Sequence, residues 1–553
     1  MLKGKACVNC RRRKIKCDGE KPVCSQCARS NGSFEDCEYP GGGPTQTQIL
    51  EERISHVQSR IHQLENPSEI ISVPLHHPYD PASIANFDFA PNRSWSAPSH
   101  SRRLPTTRSP MTTPSPVSRS PALRSISTAT LTHIQEPPPD VMQLVADAFY
   151  HHCPRFGFFL NIERFHKSFL LQFPVGHPAR PSAALINAVF LWGTHLSPTL
   201  AETYDERAFL RNTLHYLSKD LSSSHPQKVL HGIQAEVLLS YYYLKNGKVL
   251  EGNYHANAAV SLSLSAGLHR IRTPGTSNIF QGNIRPSNPA LPSPTDGIEE
   301  GERIDAFWAV LVLNNYWVAI QESHLMFYDL QNVEVDTPWP MDSTEYELHL
   351  LPQESSGTIK NFLENTSIEG MSITALHAKA AVLLEQATVL RTHGKKPASC
   401  SEALIQLDSL IDQFKSNFPL LDRLNSRAPG RETLLITQMM AHVATIKLHQ
   451  PFSDGHKHSR DKSLFSAQSI AGLTRDMMPT RALQIDPILG VLWTSACEVI
   501  MQEMSRSTAN HGQWMPLLQV MLSQMTKFSA GSVLMKFLVT RLQRKFTTTT
   551  TVW

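Results

Sequence analysis

The sequence lacks an uninterrupted run of about 18 apolar residues, the length that a membrane-spanning helix requires. Residues 1–16 also lack the apolar core of a secretory signal, because charged residues and cysteines occupy this segment. We therefore expect a protein that neither enters a membrane nor reaches an oxidising compartment. Its nine cysteines are then expected to be thiols or metal ligands rather than disulfides.

Recognisable catalytic motifs are missing as well. The chain contains no phosphate-binding P-loop, no H-E-x-x-H zinc site, no G-x-S-x-G nucleophile elbow and no G-x-G-x-x-G dinucleotide fingerprint. The 25 histidines are scattered, and pairs such as His76-His77 lack a second ligand pair at a useful spacing. We predict that the protein is not an enzyme.

The positive charge is confined to two short segments. The formal net charge of +4 conceals seven basic residues and no acid within residues 1–16, and six arginines and no acid within residues 89–135. The length of 553 residues exceeds what one hydrophobic core normally holds. We therefore expect several modules, with the charge that attracts nucleic acid in only two of them.

Six cysteines lie in the first 37 residues, with the spacing C-x2-C-x6-C-x6-C-x2-C-x9-C. This spacing duplicates a C-x2-C pair followed by a third cysteine, so each half offers three thiolates, one fewer than a tetrahedral zinc requires. Two Zn(II) ions can both reach four ligands if two sulfurs bridge them. The predicted ligands are Cys7, Cys10, Cys17, Cys24, Cys27 and Cys37. A disulfide knot is the alternative, which the missing secretion signal disfavours.

Zinc is expected to supply most of the folding free energy of this segment, because about 40 residues cannot fold on apolar burial alone. A basic run lies between the second and third cysteines and contains Arg11, Arg12, Arg13, Lys14 and Lys16. In isolation such a run is a solvated surface or a nuclear localisation signal. Held between zinc ligands, it is suited to phosphates and to the guanine acceptors of the major groove.

These residues resemble the fungal binuclear zinc-cluster transcription factors of the Gal4 type, through C-V-N-C-R-R-R-K-I-K-C-D-G-E-K-P-V-C-S-Q-C-A-R-S and the later D-C-E-Y. The resemblance implies a DNA-binding domain at residues 1–40 with Cys7 and Cys24 as bridging ligands. It places Arg13 and Lys14 where the first helix ends and reads a CGG triplet, with Lys14 at the base-contacting position. The nine-residue gap before Cys37 is at the long end of the family range.

Residues 46–65 have the pattern of a short coiled coil. Apolar residues alternate spacings of four and three, with no Gly or Pro in the stretch. Ile54 and Ile61 occupy a positions, while Leu50, Val57 and Leu64 occupy d positions. The pattern predicts a parallel dimer that brings two reading heads to paired half-sites. The alternative is a lone amphipathic helix, because fewer than three heptads are marginal in water.

Residues 66–139 are predicted to be a disordered linker, since they contain 14 prolines amid abundant Ser and Thr. The arginines of this linker either contact DNA weakly and without sequence preference or belong to a plain basic tether.

Residues 140–545 change to helical periodicity and predict a large all-α domain with a flexible insertion at residues 273–300. Apolar residues from Val229 to Tyr241 and from Leu250 to Leu262 predict a helical hairpin broken at Asn246-Gly247. Further helices are predicted at residues 303–322, 371–391, 401–416 and 432–449. Strand-like alternation is nearly absent, so the predicted fold is mostly α.

This region also resembles the middle homology region of the same family, the fungal transcription factor domain. The resemblance rests on G-I-Q-A-E-V-L-L-S-Y-Y-Y, A-V-S-L-S-L-S-A-G-L-H-R, G-E-R-I-D-A-F-W-A-V-L-V-L-N, V-D-T-P-W-P and K-L-H-Q-P-F, which occur in the family's order. It implies a regulatory domain that holds a small effector or contacts transcriptional co-regulators. Trp192, Trp308, Trp317 and the three tyrosines at 241–243 either line an apolar pocket or form plain core.

Cys153, Cys400 and Cys497 stand apart from the array and are expected to be small buried hydrophobes, with redox sensing as the alternative. Together the patterns predict a nuclear, zinc-dependent regulator of RNA polymerase II transcription. It is expected to bind double-stranded DNA as a homodimer at CGG-like half-sites, without a membrane partner. The alternatives are an adaptor whose zinc cluster binds proteins, and a metal store or zinc enzyme with an open coordination position.

Overall fold

The structure is a computed structural model. It describes residues 6–20, 24–29, 37, 136–272, 291–321, 334–348, 355–366, 369–393, 400–419, 430–477, 484–506 and 511–551. The chain divides into two compact units, Met1–Ala122 and Leu123–Trp553. The predicted coiled coil at 46–65 lies outside the described residues, as does the predicted linker at 66–139 apart from its last four residues.

The described part of the first unit contains two short helices, α1 (Val8–Arg12) and α2 (Ser25–Ala28). Each helix begins directly after the first cysteine of a C-x2-C pair, whose sulfur accepts a hydrogen bond from the helix N-terminus. Cysteine therefore takes the place that Ser or Asp usually occupies at an N-cap.

The second unit is built from helices. In chain order they are α3 (Pro139–Tyr150), α4 (Ile162–Phe169), α5 (Ala183–Leu196), α6 (Pro198–Thr203), α7 (Glu206–Leu221), α8 (Lys228–Lys245), α9 (Val249–Ser265), α10 (Gly297–Gln321), α11 (Ser343–Glu347), α12 (Thr358–Leu363), α13 (Ile373–His393), α14 (Cys400–Ser416), α15 (Arg431–His449), α16 (Lys457–Asp476), α17 (Ile488–Arg506), α18 (His511–Phe528) and α19 (Val533–Thr551). Within the residues that the structure describes, all regular secondary structure is helical. The predicted mostly-α class is confirmed.

The helical hairpin predicted around Asn246-Gly247 is present as α8 and α9. The predicted insertion at 273–300 is wrong at its end, because α10 begins at Gly297. Acidic residues in the first turn of α10, Glu299 and Glu300, favour a helix start there by complementing the positive end of its dipole. The last helix also runs beyond residue 545, through the threonines at 547–551.

The core of the helical unit lies between α13 and α15 and between α8, α9 and α10, which pack extensively on one another. Helix α8 is buried on nearly every side from Leu230 to Lys245, as expected for a helix surrounded by others. Helices α9 and α10 approach closely at Gly252, where a β-carbon would lie 2.7 Å from Trp317 Cζ2. Only glycine fits this crossing without a shift of the indole.

The large aromatic side chains of this region are core. The Trp192 ring stacks on Phe156 with a centroid distance of 3.8 Å, and the Trp308 ring stacks on Trp339 at 4.3 Å. Trp317 is fully buried and donates its indole N–H to Ser240 Oγ over 2.9 Å. These contacts favour the plain-core interpretation of the aromatic residues over an apolar pocket.

Helix α13 is the one described helix whose length and hydropathy are sufficient for a membrane span. The segment Ile373–Arg391 within α13 is long and apolar enough to cross a membrane by composition. However, 67% of that window is buried inside the helical unit. A central core helix has the same composition as a membrane span, because both are surrounded by apolar groups.

The isolated cysteines that the structure describes are buried among core residues. Burial raises the pKa of the Cys153 thiol to about 12 and also raises that of Cys497. Neither is therefore an exposed thiol of low pKa, which redox sensing would require. The side chain of Cys400 lies outside the described residues.

Candidate metal centre and nucleic-acid interface

The two C-x2-C pairs fold into equivalent helix starts. Cys7 is the N-cap of α1, and its Sγ accepts the backbone N–H of Cys10 over 3.3 Å. Cys24 is the N-cap of α2, and its Sγ accepts the backbone N–H of Cys27 over 3.4 Å. The short turn between the paired cysteines directs both sulfurs of each pair to the same side of the chain.

The third cysteine of each half repeats this equivalence. The backbone N–H of Cys7 donates to Cys17 Sγ over 3.5 Å, and the backbone N–H of Cys24 donates to Cys37 Sγ over 3.1 Å. The two third cysteines thus occupy the same place relative to their own halves. The nine-residue gap before Cys37 does not disturb this arrangement.

Four of the sulfurs form a set with the dimensions of a zinc site. Cys7 Sγ lies 3.8 Å from both Cys24 Sγ and Cys27 Sγ, and Cys10 Sγ lies 3.6 Å and 3.9 Å from the same two atoms. A tetrahedron of sulfurs with Zn–S bonds of about 2.3 Å has edges of about 3.8 Å. The sulfur positions therefore fit zinc, and all six cysteine side chains belong to one small cluster.

The thiols of this cluster fall into two electrostatic classes. Burial raises the pKa of the Cys24 thiol, but the N–H of Cys27 and neighbouring thiols outweigh burial, so its pKa falls to about 6. The pKa of Cys7 is lowered against burial in the same way. Burial raises the pKa of Cys10, and that of Cys27 to about 12. In each C-x2-C pair, the sulfur at the N-cap accepts the N–H of its partner, and that bond favours the charged form of the thiol.

Asp18 is part of this site, and the sequence analysis missed it. Its carboxylate lies within 4.8 Å of the sulfurs of Cys17 and Cys24. It accepts the backbone N–H of Ser25, the first residue of α2, over 3.0 Å, and that of Glu20 over 3.4 Å. The carboxylate therefore ties the end of the first half to the helix of the second. The Asp18-Gly19 pair, a turn signal, is the feature of the sequence that could have indicated it.

The basic run ends α1 in an unusual backbone conformation. The N–H of Lys14 donates to the carbonyl of Arg11 over 3.2 Å, and the N–H of Ile15 donates to the carbonyl of Cys10 over 3.1 Å. These two bonds form a Schellman motif, which requires a left-handed residue between them. Lys14 fills that position with φ of 54°, where glycine or asparagine is usual.

The predicted DNA-contacting residues share one property, exposure to solvent. They are Arg11, Arg12, Arg13, Lys14 and Lys16. The cations lie on the short segment between Cys10 and Cys17, and both of these cysteines belong to the cluster. The segment therefore cannot extend far from the metal centre. The structure thus presents a compact cationic surface beside the metal centre. The predicted dimer residues Leu50, Ile54, Val57, Ile61 and Leu64 lie outside the described residues.

Comparison with known proteins identifies this segment. Residues 5–42 match the family model described as the fungal Zn(2)-Cys(6) binuclear cluster domain. No curated protein and no solved structure matches the chain. The N-terminal segment is thus a DNA-binding zinc-cluster domain of the kind found in fungal transcription factors, and it binds two zinc ions.

Proposed function

We propose that this chain is a nuclear transcription factor that reads paired CGG-like triplets in double-stranded DNA as a homodimer and regulates RNA polymerase II transcription. The zinc-cluster domain at residues 5–42 supports the DNA-binding part of this proposal. The observation that carries it is the exposed cationic end of α1, whose backbone is fixed by the Schellman motif at Lys14.

In this proposal the six cysteines at 7, 10, 17, 24, 27 and 37 hold two zinc ions. Cys7 and Cys24 bridge the ions, and each of them is the N-cap of its own short helix. The remaining four cysteines each ligate one ion. Zinc supplies folding free energy here rather than chemistry, because all-sulfur coordination leaves no open position for a substrate or water.

The basic residues divide into reading and positioning groups. Lys14 lies at the helix end and contacts base edges in the major groove, with Arg13 beside it, while Arg11, Arg12 and Lys16 contact phosphates. Phosphate contacts set the register and the salt dependence of binding, whereas base contacts set its specificity.

The rest of the chain dimerises, tethers and regulates this DNA-binding domain. Residues 46–65 form the dimer seam, and residues 66–139 form the tether to the helical domain. The helical domain at 140–545 is regulatory and contacts transcriptional co-regulators rather than catalysing a reaction.

The experiment that tests this function is selection of bound sequences from a random pool of duplex DNA by the full-length protein. We expect enrichment of paired CGG-like triplets at a fixed spacing. A variant with Ile54→Asp and Ile61→Asp should retain a single triplet and lose the fixed spacing, because charges at a positions break the seam.

Two results would contradict the proposal. Absence of any enriched sequence would contradict sequence-specific DNA binding. Recovery of paired triplets equally well by the double variant would show that residues 46–65 are not required for dimer formation. An adaptor that binds proteins through its cluster would also lack the steep loss of DNA affinity with salt that phosphate contacts produce.

A further inference from the structure

The basic run contains one apolar residue, Ile15. Five of the six residues between Cys10 and Cys17 are cations, and Ile15 lies between Lys14 and Lys16. Its side chain is 39% exposed, on the segment that carries the proposed DNA contacts. A single exposed apolar residue is ordinary on a protein surface, so exposure alone assigns it no role. Ile15 differs from such a residue in the anchoring of its backbone and in the polarity of its usual packing partners.

The backbone of Ile15 is anchored to the metal centre. Its N–H donates to the carbonyl oxygen of Cys10 over 3.1 Å, in the Schellman motif that ends α1. Cys10 in turn donates its own N–H to Cys7 Sγ over 3.3 Å. Isoleucine is also branched at its β-carbon, which restricts rotation about χ1. The side chain is therefore held in place relative to the cluster, and a contact made through it costs little conformational entropy.

The residues that usually pack on this position have other partners here. In a Schellman motif, the residue at the place of Ile15 often contacts an apolar side chain five or six positions earlier. Those positions are Cys10 and Asn9. Cys10 Sγ lies 3.6 Å from Cys24 Sγ. Asn9 is polar and donates its Nδ2–H to Cys27 Sγ over 3.7 Å. Both side chains are directed toward cluster sulfurs, and part of the apolar surface of Ile15 remains available to another molecule.

The major groove of DNA offers one apolar group, the C5-methyl of thymine. CGG and its complement CCG contain no thymine, so this methyl group is found only at base pairs outside the triplet. Lys14, the proposed base-contacting residue, directly precedes Ile15 in the chain. Adjacent α-carbons lie about 3.8 Å apart, and adjacent base pairs are about 3.4 Å apart. When Lys14 contacts a base pair at the end of the triplet, Ile15 is therefore placed to reach the flanking pair.

We propose that Ile15 is a specificity-determining residue whose side chain contacts the C5-methyl group of a thymine that flanks the triplet. The proposal rests on the proposed function, because it requires Lys14 to lie in the major groove at a CGG-like triplet. Two other contacts of Ile15 predict different results. A contact with deoxyribose carbons would strengthen binding to every sequence alike. A contact with another part of the chain would leave DNA affinity unchanged.

The test uses the CGG-like triplets and the spacing that the full-length, zinc-loaded protein recovers from the random pool. In a second selection these are fixed and the flanking pairs are randomised. We expect enrichment of thymine at one flanking position. Replacing that thymine by deoxyuridine removes the methyl group alone. Fluorescence anisotropy should then show about fourfold weaker binding, as expected for the loss of one buried methyl group.

Substitutions of Ile15 assign this discrimination to its side chain. Ile15→Ala should bind the thymine and deoxyuridine duplexes alike, because it lacks the apolar surface that contacts the methyl group. Ile15→Val should give a ratio between those of Ile15→Ala and the unmodified protein. Lys16→Ala is the matched control, because Lys16 is the exposed neighbour with a proposed phosphate contact. It should weaken binding to both duplexes and keep their ratio. Zinc retention against a chelator should be equal in Ile15→Ala and the unmodified protein, which shows an intact cluster.

The proposal is overturned if triplets are enriched without a flanking thymine, or if the unmodified protein binds the two duplexes equally. It is also overturned if Ile15→Ala and Ile15→Val both keep the ratio of the unmodified protein. Absence of enriched triplets with the unmodified protein would contradict the proposed function, and this proposal with it. The two failures are distinguishable, since failure of the Ile15 proposal alone leaves triplet enrichment intact.

Discussion

The backbone N–H of Cys24 donates to Cys37 Sγ over 3.1 Å, across a loop that is longer than the corresponding loop of the first half. The matching bond from Cys7 to Cys17 closes over three fewer residues. The two halves of the duplicated motif therefore reach the same local geometry through loops of different length. The two halves of the cluster are therefore equivalent in hydrogen bonding, although the spacing before their third cysteines differs.

This symmetry predicts matched effects of substitution. Cys17→Ser and Cys37→Ser should weaken zinc binding to a similar extent, because each removes the third ligand of one half. Cys7→Ser and Cys24→Ser should be more damaging, since in the proposed cluster each removes a bridging sulfur from both ions. Competition of the full-length variants with a chromophoric zinc chelator measures these affinities. A much smaller effect of Cys37→Ser than of Cys17→Ser would contradict the equivalence of the two halves.

Removal of zinc should abolish specific DNA binding while leaving the helical unit folded. The cluster helices contain only five and four residues, and among the side chains that the structure describes there, the buried ones are cysteines. Metal binding therefore supplies their stability. After chelation we expect loss of a gel-shift complex and an almost unchanged helical circular dichroism signal and thermal midpoint. Cooperative unfolding of the whole chain on chelation would contradict this independence.

Substitution of Lys14 separates the effect of the backbone from that of the side chain at the proposed base-contacting position. Lys14→Gly should preserve or slightly stabilise the helix end, since glycine adopts positive φ without the penalty of a β-carbon. It should still weaken specific binding by about 1–3 kcal/mol, the scale of a base contact. Gel-shift titrations of a CGG-containing duplex and a scrambled duplex measure the ratio. Arg11→Ala is the contrast, expected to weaken both complexes alike, and an unchanged ratio in Lys14→Gly would exclude Lys14 as a reading residue.

Asp18 should contribute to cluster stability through the start of α2. Asp18→Ala leaves the N–H of Ser25 without its carboxylate partner, and loss of such a cap costs roughly 1 kcal/mol. Zinc release from the variant should therefore occur at lower chelator concentration. Asp18→Asn keeps an oxygen acceptor and should recover part of the loss. Equal zinc retention in Asp18→Ala and the unmodified protein would show that the carboxylate is dispensable.

A buried polar group in the helical unit predicts a pH dependence. Tyr316 Oη lies 2.8 Å from His377 Nε2 and 3.5 Å from Asp486 Oδ2, while Ile488 donates its backbone N–H to Asp486 Oδ1 over 2.9 Å. Burial raises the pKa of Asp486 from 3.8 to about 7, and burial lowers that of His377 to about 4. The folded protein thus favours a protonated carboxyl and a neutral imidazole at this point.

Because the pKa of Asp486 is higher in the folded than in the unfolded state, its protonated form stabilises the fold fully below about pH 4. That contribution is lost as the pH rises through about 7. Relative to Asp486→Asn, which mimics the neutral acid, the unfolding free energy of the unmodified protein should fall over this range by up to roughly 4 kcal/mol. Urea titrations at pH 5 to 8 measure the part of this fall that lies above pH 5, about 3 kcal/mol. Asp461→Asn, at an exposed position of α16, should show no such trend, and a constant difference for Asp486→Asn would contradict the raised pKa.

The helical class and the central hairpin could be predicted because periodicity is a local property. The end of the insertion could not, since Gly297 and Ile298 begin α10 without a strong apolar pattern of their own. The hydropathy of α13 also shows that a local pattern is not sufficient to predict where a helix lies. Its composition is equally consistent with a membrane and with a protein core, and only the packing of its neighbours distinguishes them.

The sequence by itself determined the metal chemistry, because ligand type and ligand spacing are properties of a short stretch of chain and zinc imposes the rest. It also determined that the positive charge is confined to two short segments, one of which lies between the metal ligands. Only the tertiary structure placed Asp18 across the two halves, set Lys14 in a left-handed conformation and buried Trp317. The place of Asp18 and the burial of Trp317 depend on contacts between separate helices or halves of the cluster. The conformation of Lys14 depends on the two backbone bonds that end α1, in a sequence with no glycine to indicate them.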